Sequence, residues 1–158
     1  IFGMVDIAQA GRARGEHPNA AGGTTAAAGA AQQGPNGGKH ARGRVVATDG
    51  QGNGATASCG SFQTPSGAQG ARASGTTVNA DGTVTRRGGV AAEGSKGSVA
   101  SQGGTTRNPD GTYSGGRSTT ATGANGSASS NTTWDSTSGV SRTVTCKDAG
   151  GNAVACPR

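Results

Sequence analysis

The residues best suited to chemistry in this chain are its three cysteines. Cys146 and Cys156 flank a Gly-Gly reversal in TCKDAGGNAVAC. In an exported protein two thiols so placed form a disulfide. Reduced thiols or a different pairing are the alternatives. Closing so short a loop is worth about 3 kcal/mol on chain-entropy grounds, and it would pin the last hairpin where it would otherwise fray. Cys59 is the odd cysteine. It either stays free or bridges two chains.

Other reactive residues are poorly arranged for catalysis. His17 and His40 lie far apart, and neither has a second ligand at a zinc-site spacing. Serines are abundant, yet none sits in a nucleophile-elbow pattern with a histidine to activate it. No glycine-rich stretch joins a hydrophobic strand to a helix with a lysine, so a phosphate cradle is unsupported. Aspartates recur at Asp49, Asp81, Asp110, Asp135 and Asp148, one per turn signal. A calcium β-roll would need them every nine residues or so. The expectation is a protein that is not an enzyme and holds no cofactor or metal.

The formal net charge is +6, from 14 Lys and Arg against 8 Asp and Glu. The basic residues are scattered, with no run longer than Arg86-Arg87. Such charge serves solubility or loose attachment to anionic surfaces such as a cell envelope, to acidic polysaccharide or to extracellular DNA. Specific nucleic-acid binding is unsupported, since stacking on bases would fall to Tyr113 and Trp134, and these two are expected to cover a patch of sheet or a contact between sheets. Thr-x-Thr pairs at Thr83/Thr85, Thr120/Thr122 and Thr143/Thr145 would form a grid of about 6.7 by 4.7 Å on a flat sheet, a surface able to order water or meet polysaccharide.

The elements that position these residues are read from turn signals. Beyond Gly34 they arrive at intervals of about 12 to 16 residues: Pro35-Asn36-Gly37, Asp49-Gly50-Gln51-Gly52, Pro65-Ser66-Gly67, Asn79-Ala80-Asp81-Gly82, Gly94-Ser95-Lys96-Gly97, Asn108-Pro109-Asp110-Gly111, Gly123-Ala124-Asn125-Gly126, Asp135 to Gly139 and Asp148-Ala149-Gly150-Gly151. Each offers a glycine for positive φ or a residue favouring tight reversal. Gly50, Gly82, Gly97, Gly111, Gly126, Gly139 and Gly151 are therefore the expected structural turn residues. Between them lie Thr-, Ser- and Val-rich segments of strand length.

A 29-residue shift lays GTTVNADGT (75–83) on GTTRNPDGT (104–112), and 12 of 27 positions agree between Gly75–Ser101 and Gly104–Ser130. The fold class is all-β, and two architectures suit the period. One is an elongated or flat antiparallel meander of about 8 to 10 short strands. The other is a β-solenoid with 29-residue coils. Short turns favour the meander. Alternation places Val140, Arg142, Val144 and Cys146 on one side of a strand, and Val84 with Arg86 on one side of another.

Large apolar residues are scarce: there is no Leu, and the chain holds 2 Ile, 10 Val and 2 Phe. Burial alone cannot carry such a fold. Backbone hydrogen bonding, close stacking of small side chains, and self-association are expected to share the work; a largely disordered chain is the alternative. Residues 1–10, IFGMVDIAQA, look like a signal-peptide remnant ending in a small-x-small pattern, or else a short element of the mature chain. Residues 11–38 are expected to be a Gly/Ala-rich flexible linker, and 39–158 a repetitive β region. No segment after residue 10 approaches a transmembrane helix in apolar length.

NADGT, NPDGTYSG, TGANGS and TCKDAGGNAVACP resemble the repeats and C-terminus of Gly/Ser/Thr-rich secreted repeat proteins of Gram-negative bacteria, over roughly Val78 to Pro157. The resemblance implies export and a cell-surface or extracellular role. It transfers no functional residue. The leading expectation is a secreted structural protein forming a fibre, matrix or surface layer by β-sheet assembly. A module binding ice, polysaccharide or an anionic envelope through Thr and Arg faces is the alternative, and a disordered surface coat the third.

Overall fold

The computed structural model describes residues 11–156 and shows one open antiparallel sheet of eleven strands in strict chain order. The strands are β1 (Gly11–Pro18), β2 (Thr24–Gln33), β3 (Lys39–Thr48), β4 (Gly54–Gln63), β5 (Gln69–Val78), β6 (Val84–Gly94), β7 (Gly97–Arg107), β8 (Tyr113–Gly123), β9 (Gly126–Asp135), β10 (Gly139–Asp148) and the two-residue β11 (Ala153–Val154). The meander is thus the architecture, and the solenoid is not formed. The strands exceed the expected 8 to 10 because two of them lie in 11–38. That stretch is β1 and β2, not a linker. The signal-peptide reading of 1–10 lies outside the described residues. No helix among the described residues is long and apolar enough to cross a membrane.

Why does an Ala/Gly stretch become strand? β2 has only Thr24 and Thr25 as β-branched residues, yet each of its backbones from Thr25 to Ala31 pairs on both sides, with β1 and with β3. Hydrogen bonding to two neighbours overrides weak intrinsic propensity. The turn before it supplies the reversal: the Gly22 amide donates to the Asn19 carbonyl, the Asn19 amide donates to the Gly23 carbonyl, and Gly22 has φ 83°. This is a type I turn closed by a left-handed residue, which suits the right-handed twist of a hairpin. The same pair of bonds recurs at Gly34–Gly38, Thr64–Ala68, Asn79–Thr83, Asn108–Thr112 and Asp148–Asn152. The β6–β7 and β8–β9 hairpins instead close over two residues, with Gly94 paired to Gly97 and Gly123 to Gly126.

All seven glycines expected as structural turn residues have positive φ, and they are joined by Gly22, Gly37, Gly52 and Gly67. Gly97 and Gly126 carry a second constraint, since a Cβ there would run into the carbonyls of Thr122 and Lys147 on the neighbouring strand. The period also extends further back than the sequence comparison reaches. Gly22, Gly52 and Gly82 stand 30 residues apart, as do Gly37, Gly67 and Gly97. One repeat is therefore one hairpin, two strands and two turns, running from β1 onward.

Among the described residues no second layer covers the sheet. Cys146, at 9% exposure, is the one buried hydrophobic side chain among the described residues. Large side chains lie flat over glycines of the adjacent strand instead. The Phe62 ring covers Gly70 and the Trp134 indole covers Gly115, where an added Cβ would meet the indole nitrogen at 2.6 Å. Such aromatic–glycine pairs fix cross-strand register.

Turn geometry should outweigh apolar burial in this fold. Gly111 has open space around it, so Gly111→Val tests backbone strain alone. Urea unfolding is expected to show a loss of roughly 1–3 kcal/mol for that variant, against about 0.5 kcal/mol for Val90→Ala at a 41% exposed site. Equal losses would refute the point.

Candidate functional site

In an antiparallel ladder, paired residues project from the same side, and the next residue along each strand projects from the other. Following the register from β10 back to β1 sorts the side chains into two unlike faces. One holds Arg12, Arg14, Arg42, Arg44, Arg72, Arg86, Arg107, Arg117 and Arg142, nine of the ten strand arginines. Phe62, Tyr113 and Trp134 share it. Its strand carboxylates are Glu16 and Asp148 alone. The alternation expected around Val140–Cys146 and Val84–Arg86 is present, and both sets lie on this face.

The opposite face is nearly neutral. Lys39, Arg87 and Lys147 stand there against Glu93 and Asp135. Its centre, over β3 to β7, is built from small side chains such as Ala41, Ser61, Ala71, Ala73, Ala91 and Ala100, with Cys59 among them. A shallow concavity of about 880 Å³ runs across this region. Further along, β8 to β10 present hydroxyls: Thr120, Thr122, Ser127, Ser129, Thr143 and Thr145. Two of the three Thr-x-Thr pairs thus join one surface, while Thr83 lies in a turn.

Arginine placement on the basic face follows the hairpin period. Arg12, Arg42 and Arg72 occupy one row across the sheet, with Ala30 and Gly60 between them; Arg14 and Arg44 occupy the next row, with Ala28 between them. Residues two strands apart are about 9.6 Å apart across the sheet, and residues i and i+2 about 6.7 Å along it. All five side chains are exposed. Arg117 and Arg142, by contrast, donate to Ser101 Oγ at 2.9 Å and to Ser130 Oγ at 3.3 Å. The five-arginine group was missed as a cluster in the sequence, where the residues look scattered. A 30-residue shift, which superposes Arg12, Arg42 and Arg72, is the signal that finds it.

The disulfide joins Cys146 and Cys156, with Cα atoms 5.3 Å apart, and holds β11 against the end of β10. Cys59 is a free, exposed thiol. His17 lies on the neutral face of β1 and His40 on the basic face of β3, so the sheet keeps them apart. Among the described residues no group of three His, Cys, Asp or Glu could hold a metal ion.

The aspartates brace turns. Asp49 Oδ1 accepts the Gln51 and Asn53 amides, Asp110 Oδ1 the Thr112 amide and hydroxyl, Asp135 Oδ1 the Thr137 and Ser138 amides, and Asp148 Oδ1 the Asn152 amide. These bonds favour the ionised form and hold each carboxyl below its ordinary value of 3.8; the main donors are the Asn53 side chain for Asp49, the Thr112 hydroxyl for Asp110, the Ser138 amide for Asp135 and the Asn152 amide for Asp148. Turns also bond one another: Asn19 Nδ2 donates to the Thr48 carbonyl at 2.8 Å, and the Ala80 amide donates to Asn53 Oδ1 at 2.8 Å.

Compared with protein families, curated proteins and solved structures, the chain matches none.

Depressed carboxyl values contribute stability above pH 3.8, and that contribution is lost as pH falls through the lower folded values. Thermal melting should therefore hold down to about pH 4 and decline below it. Replacing Asp49, Asp110, Asp135 and Asp148 by Asn should flatten the acid limb. An undiminished acid limb in that variant would assign the loss to other groups.

Proposed function

We propose that this protein is a secreted structural protein whose sheets associate through their small-residue faces to build an extracellular layer or matrix. The observation that carries this reading is an eleven-stranded sheet with a single buried hydrophobic side chain among its described residues. Domains ordinarily gain stability by packing two layers around an apolar core. Here a second copy supplies the missing layer.

Charge selects which face is covered. Two basic faces repel, whereas the neutral faces carry balanced charges and short side chains that permit close approach. Five strands of ten residues span about 24 by 33 Å, roughly 800 Å², which is about what each partner contributes to a stable interface. Stacking also leaves the basic faces outward on both sides of the pair.

The edges suit this mode better than strand addition. β11 covers Cys146 and Lys147 of β10, and the remaining edge carries Arg142. Among the described residues β1, with Arg12, Arg14 and Pro18, forms the other edge. Charged and proline-bearing edges discourage further strands. Export is supported by the disulfide, which persists in oxidising compartments, and by the resemblance of the repeats to secreted Gram-negative proteins.

Sedimentation of the purified chain over a concentration series, with circular dichroism on the same samples, tests the reading. Mass is expected to rise with concentration while the β signal is retained or strengthened. Ala91→Glu, on the neutral face of β6, should abolish the rise, and Val90→Glu, its neighbour on the basic face, should not. A stable β monomer at every concentration, or equal effects of the two variants, would overturn it.

A further inference from the structure

We propose that Arg12, Arg14, Arg42, Arg44 and Arg72 form a binding site for an acidic polysaccharide, a chain of sugars bearing carboxylate or sulfate groups. The site lies on β1, β3 and β5 of the basic face. It does not depend on self-association.

Three observations carry the inference. First, the five guanidinium groups border a common hollow of about 540 Å³, floored by Ala28, Ala30 and Ser58 of the intervening strands. Small residues on β2 and β4 leave room between arginine-bearing strands, so a polymer can lie in the sheet surface with cations on both sides. Second, the arginines are unspent by the fold. They are exposed, and the arginines that bond side-chain hydroxyls among the described residues are Arg117 and Arg142. Glu16 is the one carboxylate placed among them, two residues from Arg14 on β1. Third, their spacing repeats with the hairpin: the 30-residue period sets one arginine-bearing strand for every two strands, at about 9.6 Å.

Guanidinium chemistry and stacking capacity together select the ligand class. Guanidinium groups pair bidentately with carboxylate and sulfate oxygens. Phosphates accept from guanidinium groups as well, so stacking separates the classes: a single nucleic-acid strand brings bases that call for several aromatic platforms. Phe62 adds a platform. It lies in the row next to Arg42 and Arg72, flat over Gly70 and 44% exposed. One ring suits the apolar face of a sugar better than a run of bases, which needs several aromatics to stack.

Isothermal titration calorimetry of the full chain with polygalacturonate, a sulfated glycan, a neutral glucan and single-stranded DNA tests the site. Polygalacturonate or the sulfated glycan should bind, with affinity falling as salt rises, and the neutral glucan should not. The triple variant Arg42→Gln/Arg44→Gln/Arg72→Gln should lose affinity by about tenfold or more and show a shallower salt dependence, by roughly one unit of slope per lost contact. The matching Lys variant, which keeps the charge but not the planar fork, should recover part of it. Arg117→Gln/Arg142→Gln serves as the control and should change affinity less than twofold, circular dichroism showing all variants folded. The proposal is overturned if neither acidic glycan binds, if DNA binds as tightly as the glycans, or if the control loses as much as the triple variant.

Discussion

Each strand of this sheet is tied to its chain neighbours by an antiparallel ladder, and each ladder depends on a reversal that passes through a glycine of positive φ. Gly22, Gly37, Gly52, Gly67, Gly82 and Gly111 all sit at such reversals with φ between 82° and 96°. Because apolar burial is so sparse, no core would hold a strand whose turn had failed. Backbone pairing carries the fold, and the turns decide whether pairing occurs. Aspartate carboxylates and asparagine amides brace the turns, while bonds such as Ala80 to Asn53 couple one turn to the next.

Given the ladder, the two faces follow from parity. A period of 29 or 30 residues equals two strands and two turns, so it returns each position to the same face two strands along. A feature written into one repeat is thereby multiplied across the sheet. Arginine at the positions of Arg12 and Arg14 reappears at Arg42 and Arg44 and then at Arg72, all on one side. Alanine accumulates on the other. A charged face and a coverable face emerge from the same repeat, with flat pairs such as Phe62 on Gly70 holding strands in register between them.

Much of this was legible in the residues. Asn-x-Asp-Gly and Gly-x-x-Gly act locally, through φ preference, so the turns and the all-β meander could be read without knowledge of tertiary contacts. The Cys146–Cys156 bond was legible because its loop is local too. β2 was not legible: Ala26 to Ala31 has no strand propensity of its own, and it is a strand because β1 and β3 pair with it. The arginine group was hidden for a different reason. Its members share a position in a period rather than a stretch of chain, and the identities flanking them have diverged to Ala, Gly and Val. Cys59 could be recognised as unpaired, yet its place amid the small-residue face required the register of four strands.

Cys59 also offers the most direct test of that covered face, since it is the free thiol and lies at the surface proposed to be buried on assembly. The measurement is the labelling rate of Cys59 by a bulky maleimide, across the concentrations at which sedimenting mass rises. Labelling is expected to slow as mass increases and to return to the unhindered rate on dilution. A rate unchanged while the mass grows would contradict burial of the small-residue face and move assembly to another surface.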